Sequence, residues 1–148
     1  YGIGSMQLYV DSDPEVTYFD LIGNRADVLQ RFAVFDLMAN NADRKAGHCL
    51  LGRDGRLWSI DHGLTFHTAD KLRTVMLEFW GKPIPEELVD DLVGLQARLE
   101  SPEAAPEGLA EMLDRQEIAA IVDRIEALRQ DPFHPLLDPY RNVPWPLV

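Results

Sequence analysis

Cysteine is almost missing from this chain. Cys49 stands alone among 148 residues, which excludes an internal disulfide framework and fits a reducing compartment, so a cytoplasmic location is the expectation. Positive charge is also short: 14 basic against 25 acidic residues leave a net charge of −11, which opposes non-specific attraction to nucleic acid or an anionic membrane. There is no apolar run of about 18 residues or more to span a bilayer, and no basic segment followed by an apolar one at the start. The first residue is Tyr1 rather than Met, which sets the expectation of a segment from a longer polypeptide. No internal repeat is present.

A chain of this length that is 46% hydrophobic and 26% charged has enough apolar material for one core, and one domain over 1–148 is expected. Met6–Val10 alternates like a strand and is stopped by Asp11-Ser12-Asp13-Pro14. Val28, Leu29, Phe32, Phe35 and Ala39 recur at helical spacing, predicting a helix over 26–40 that Asn40-Asn41 terminates. Asp36 lies inside that helix, either on an exposed face or hydrogen-bonded to the loop that follows.

Pro85-Glu86-Glu87 opens a second helix to about Leu99, with Leu88, Leu92, Leu95 and Leu99 on one side and Ser101-Pro102 as its stop. Ala105-Pro106-Glu107 reads as another helix start. Ile118, Ile121, Val122, Ile125 and Leu128 define a last helix over about 115–129. The tail, 131–148, is rich in proline and aromatics and is expected to lie extended over the helical body. The fold class that follows is α+β, mainly α.

Two short loops carry the chemistry. Asn40-Asn41-Ala42-Asp43-Arg44-Lys45-Ala46-Gly47-His48 and Ile60-Asp61-His62-Gly63 flank two apolar runs, Cys49–Leu51 and Leu57–Ile60. Gly52-Arg53-Asp54-Gly55 between the runs predicts a β-hairpin that draws the two loops together. Asp43 precedes His48 by five residues and Asp61 by eighteen. That is the order of a phosphotransfer site, with one Asp taking the proton of the acceptor hydroxyl and another holding the metal that bridges the nucleotide phosphates. Lys71 and Arg73, further on, are either solvated surface cations or contacts for an anionic acceptor.

In order, Gly4–Val10, Asn41-Ala42-Asp43-Arg44 and Ile60–Phe66 resemble the hinge strand, catalytic loop and metal-binding loop of the phosphatidylinositol 3-/4-kinase-like family. The nearest likeness is to type II phosphatidylinositol 4-kinases and to actinobacterial kinase-like proteins, with HipA-type kinases sharing the Asn-Asp loop. The match is specific over 1–80.

The resemblance implies a protein-kinase-like C-lobe in which 1–13 supply the hinge and Tyr9, Val10 and Asp11 meet adenine. It makes Asp43 the catalytic Asp, sets Arg44 and Lys45 to neutralise phosphate charge, and gives Asp61 to the metal, with ATP and Mg2+ as cofactors. His48 departs from the pattern. The family has Asn there, and an imidazole shifts the expectation toward Mn2+, a water-mediated contact or a ligand given up.

The family grips phosphates with a lysine ahead of the hinge, and here no lysine precedes Lys45. The N-lobe is therefore expected outside this segment, and the segment alone is expected to be a weak kinase. The acceptor is an inositol lipid or a protein hydroxyl. Two other readings stand beside this one: a pseudokinase that uses the cleft for binding alone, and a structural zinc site drawn from His48, Cys49, His62 and His67.

Overall fold

The computed structural model describes residues 7–101 and 108–148. The expected helix start at Ala105-Pro106-Glu107 and the residues before Gln7 lie outside them. The protein is α+β and mainly helical, with α1 (Tyr18–Leu21), α2 (Ala26–Ala39), β1 (Cys49–Leu51), β2 (Leu57–Ser59), α3 (Glu86–Glu100), α4 (Leu109–Met112) and α5 (Arg115–Gln130). Single 3-10 turns occur at Ala46–His48 and Leu77–Phe79. Among the described residues no helix is long and apolar enough to cross a membrane.

Helix α2 is the spine because it is apolar on two sides. Leu29 and Ala33, four apart on one face, join Tyr18, Leu21, Ala46, Cys49, Val75, Met76 and Phe79 in one core. Val34, Met38 and Ala39 face a second core built from Ile84, Leu88 and Leu92 of α3 and its approach, and Ile121, Ile125 and Leu128 of α5. Burying each Leu or Ile there is worth about 1.5–3 kcal/mol relative to leaving it exposed. Asn40 ends α2 in the left-handed conformation (φ 55°), its N–H bonding the carbonyls of Asp36 and Leu37.

Helix α3 starts where Pro85 and the first-turn acids Glu86 and Glu87 predict. Helix α5 starts on a reciprocal cap, the Asp114 carboxylate accepting from the N–H groups of Gln116 and Glu117 while Glu117 accepts from the Asp114 N–H.

The hairpin pairs Cys49 with Ser59, Leu50 with Trp58 and Leu51 with Leu57, antiparallel. Gly55, at φ 80°, makes the turn possible. The C-terminal segment holds no helix after α5: it is extended over 132–138 and then turns, the N–H groups of Arg141 and Asn142 bonding Asp138 O. It is hydrogen-bonded along its length: Ile84 N–H to Pro132 O, Gly81 N–H to His134 O, Thr74 N–H to Asn142 O and Ala46 N–H to Leu147 O.

Of the expected strand over 6–10, the described part, Gln7–Val10, forms no strand: among the described residues none lies beside it to pair with, Leu8 and Tyr9 stand exposed, and the first bridge is Ser12 to Gly52. Helix α1 was not foreseen. Its signal is the Thr17-x-x-Asp20 cap, in which the Asp20 carboxylate accepts from the Thr17 N–H and hydroxyl.

Candidate functional site

At the end of α2 the carboxylate of Asp36, 1% exposed, meets the wholly buried guanidinium of Arg44. Arg44 Nε donates to Asp36 Oδ2 at 2.7 Å and Nη2 to Oδ1 at 2.8 Å, the two-pronged geometry that suits Arg and carboxylate. Nη1 donates to the carbonyls of His48 (3.3 Å) and Ile60 (2.9 Å), and Nη2 also faces His62 Nε2 at 3.1 Å. All five N–H groups of the guanidinium are thereby used. Burial alone pulls the guanidinium down, but the hydrogen bonds and charge of Asp36 outweigh it and hold Arg44 above its ordinary value.

The same carboxylate accepts from Asn41 Nδ2 at 2.9 Å, and Asn41 Oδ1 accepts the N–H of Asp43 at 3.1 Å. One buried acid on α2 thus fixes both loops. Of the two sequence readings of Asp36, the bond to the following loop is the one observed.

Neighbouring backbone completes the frame. Ala42 N–H donates to Leu64 O, Arg44 N–H to Arg73 O, Val75 N–H to Arg44 O and Arg73 N–H to Asn41 O. Asn40 spends its whole amide here, donating to the carbonyls of His67 and Ala69 and accepting from the Lys71 N–H. Among the described residues three that are not glycine have positive φ: Asn40, Asp61 and Phe66. All three border these two loops. Such positions cost of order 1–3 kcal/mol each and persist where surrounding contacts enforce them.

On this frame the half-buried Asp43 is joined to Lys45, Nζ to Oδ2 at 3.2 Å. Across the hairpin base, His48 Nε2 lies 3.5 Å from Asp61 Oδ2, with the Asp61 side chain 61% exposed. His48 Nδ1 accepts a long bond from the Lys45 N–H at 3.4 Å. In the neutral ring this leaves the N–H on Nε2, the nitrogen nearer Asp61. His62 packs edge-on against Phe35 and accepts at Nε2 from Arg44; burial first, and then the Arg44 charge, holds its pKa below the ordinary value.

The four residues Asp43, Lys45, His48 and Asp61 are therefore gathered on two tied loops, whereas Arg44 is interior with no N–H left for a phosphate. Tyr9, Val10 and Asp11 lie at the opposite end of the hairpin. Asp11 Oδ2 pairs with Arg53 Nε at 2.9 Å and its carbonyl accepts the Arg53 N–H. Three-residue strands at about 3.4 Å per residue separate that end from His48 by about 10 Å. Lys71 and Arg73 are exposed and line a groove of about 610 Å³ with Arg141, Tyr140 and Trp145.

Magnesium is held by one or two protein carboxylates together with substrate phosphates, and a single exposed Asp61, on the loop tied to that of Asp43, fits that mode. A metal held by protein alone does not fit: among the described residues no group of three or more His, Cys, Asp and Glu is placed to hold one. The zinc reading is corrected on that ground. Cys49 is buried in the first core, where burial above all pushes its thiol up to about 12, and His67 bonds its own loop at Ala69.

A Mycobacterium tuberculosis protein, Rv2133c, is 43% identical to this chain over 118 residues, covering 80% of this chain and 42% of its own length. The chain thus spans less than half of that relative. No protein-family model matches the sequence, and no solved structure matches it.

Proposed function

We propose that this chain is the helical, C-lobe-like part of an ATP-dependent phosphotransferase of the phosphatidylinositol 3-/4-kinase-like type. The observation that carries the reading is the buried Asp36–Arg44 pair, which draws the Asp43 loop and the Asp61 loop onto one scaffold. The left-handed residues at the loop borders support it, since backbone strain of this kind gathers at functional sites.

In this reading Asp43 accepts the proton of the acceptor hydroxyl, and Lys45 fixes the position of that carboxylate. Asp61 is the metal ligand. Bound Mg2+ would supply charge neutralisation at the β- and γ-phosphates. Tyr9 to Asp11, at the far end of the hairpin, would meet adenine. Arg44 is a positioning residue, moved here from the phosphate-neutralising role.

His48 is also assigned to positioning. A ring whose Nδ1 accepts from Lys45 presents N–H at Nε2, and an N–H orients Asp61 but cannot ligate a metal. No lysine precedes Lys45 in these 148 residues, so the lysine that grips phosphates is supplied from elsewhere in this scheme. The acceptor is an inositol lipid or, as in HipA-like kinases, a protein hydroxyl. The His48 arrangement also favours a second reading, a pseudokinase that binds nucleotide without transfer.

Calorimetric titration of ATP into the chain, with Mg2+ and then Mn2+, tests the reading alongside Asp61→Asn and Asp43→Asn. Metal-dependent binding that Asp61→Asn abolishes and Asp43→Asn retains is the expected result. The same titration on the full-length Mycobacterium tuberculosis relative is the control. Absence of binding in both proteins sinks the proposal, and binding without transfer to vesicles or protein moves it to the pseudokinase.

A further inference from the structure

The groove of about 610 Å³ between residues 70–73 and the turn that follows Asp138 gathers positive charge on an acidic protein. Its lining carries three cations, Lys71, Arg73 and Arg141, against one carboxylate, Asp70. All three cations are exposed, and none forms an ion pair among the described residues. Asp70 offsets them little: its Oδ1 accepts the Leu72 N–H at 3.3 Å, and its charge also acts on Arg124. Like charges set side by side repel, and a bound anion relieves the repulsion.

The two walls are laced together. Asn142 Nδ2 donates to Leu72 O at 2.7 Å, Thr74 N–H to Asn142 O at 2.8 Å and Arg73 Nε to Arg141 O at 3.3 Å. Both terminal nitrogens of Arg73, the whole Arg141 guanidinium and the Lys71 ammonium are left without a hydrogen-bond partner among the described residues. The lining adds two rings, Tyr140 and Trp145, 96% and 86% exposed. A single exposed aromatic carries no message. Two of them beside three unpaired cations join flat surface to positive charge, the combination that holds ring-bearing anions.

We propose that this groove binds a small phosphate monoester carried on a planar ring, its phosphate on Lys71, Arg73 and Arg141 and its ring against Tyr140 and Trp145. Three cations against one carboxylate suit a dianion better than a monoanion, and two guanidiniums suit the oxygens of a phosphate. The volume lies within the range of small-molecule sites, about 300–1,000 Å³. An extended polyanion, such as a nucleic acid strand or an anionic bilayer, would reach past the groove to a protein whose net charge is −11 and be repelled there. The proposal does not rest on the phosphotransfer reading. The groove nevertheless adjoins the Asp43 loop, since Arg73 N–H donates to Asn41 O and Lys71 N–H to Asn40 Oδ1.

The test is calorimetric titration, without divalent metal, of naphthyl phosphate, naphthol and inorganic phosphate into the chain, Arg141→Gln and Trp145→Ala. Both side chains are exposed and make no hydrogen bond among the described residues, so folding is little at risk. Naphthyl phosphate is expected to saturate one site and to bind at least about tenfold more tightly than naphthol or inorganic phosphate. Arg141→Gln is expected to weaken it by at least about tenfold, and Trp145→Ala to bring it down to the level of inorganic phosphate. AMP and phosphotyrosine present the same chemistry from two sources, a nucleotide and a modified side chain, and at least one is expected to match naphthyl phosphate and to depend on Arg141. No saturable binding to the unmodified chain overturns the site, and so does binding that Arg141→Gln leaves undiminished. Inorganic phosphate binding as tightly as the ring ester, or neither AMP nor phosphotyrosine matching it, overturns the assigned ligand class. A single-stranded oligonucleotide or phosphatidylserine vesicles binding more tightly than naphthyl phosphate overturns the small-molecule assignment.

Discussion

Asp36 and Arg44, eight residues apart, meet through two hydrogen bonds of 2.7 and 2.8 Å in a place that neither solvent nor another cation reaches. Taking two charges out of water is costly, so the pair adds little net stability by itself. Breaking it is another matter, because the partner left behind is an uncompensated buried charge. Asp36→Ala should therefore cost about 3–5 kcal/mol, read as a lower urea midpoint. The double variant Asp36→Leu/Arg44→Met should recover most of that loss, while the arrangement of the two loops, followed by ATP titration, should not recover. A double variant no more stable than Asp36→Ala would count against this account.

Asn40 combines two terms that substitution can separate. Its left-handed backbone is tolerated by asparagine and glycine and penalises alanine by about 1 kcal/mol, and its amide holds His67, Ala69 and Lys71. Asn40→Ala should lose both terms and fall by about 2–4 kcal/mol; Asn40→Gly should keep the backbone term and lie about 1 kcal/mol above it. Thermal melts of the two variants give the comparison directly.

His134 makes stability depend on pH. It is 3% exposed, stacked on Phe79, and burial lowers its pKa from 6.5 to about 4. The unfolded chain then binds the proton more readily than the folded one. Its contribution is complete above about pH 6.5 and is lost progressively as pH falls toward 4, about 3 kcal/mol in all. His62 shifts in the same direction. Comparing urea unfolding near neutral pH and near pH 4, His134→Phe should narrow the difference by about 3 kcal/mol while keeping the stack on Phe79.

At His48 the imidazole N–H toward Asp61 predicts no preference for Mn2+ over Mg2+ in ATP binding. His48→Asn, which offers a hard amide oxygen in its place, should tighten Mg2+-dependent binding. A strong Mn2+ preference in the unmodified chain, lost in His48→Ala, would restore the ring to the role of ligand.

If transfer occurs, Asp43→Asn should lower the rate by about 10²–10⁴-fold, the usual contribution of a general base, with ATP affinity unchanged. A parallel loss of affinity would assign Asp43 to binding instead.

Several of these features were legible in the sequence for physical reasons. The periodic apolar residues of α2, α3 and α5 fixed those helices to within a residue or two, and Gly52 to Gly55 between short apolar runs marked the hairpin. Asn40 announced its own left-handed stop. Less legible was anything that needed a distant partner. The Gln7–Val10 stretch alternates like a strand but has nothing to pair with. Arg44, beside Asp43, is set by the resemblance to neutralise phosphate until the fold shows Asp36, the lone acid in the apolar run Phe35 to Met38, waiting beneath it. Nor did a pattern in 131–148 disclose which backbone groups the segment would bond, or that Tyr140, Arg141 and Trp145 would line a groove with Lys71 and Arg73.

The hydrogen bond from Ala46 N–H to Leu147 O has a consequence for synthesis on the ribosome. The stretch holding Asp43 and Asp61 is made early, yet its frame lacks a partner until residue 147 has left the exit tunnel, and Thr74 waits likewise for Asn142. At about 5–20 residues per second, roughly a hundred residues impose a delay of about 5–20 seconds. During that interval the Asp43 and Asp61 loops, though joined through Asp36 and Arg44, lack the last bonds of their frame.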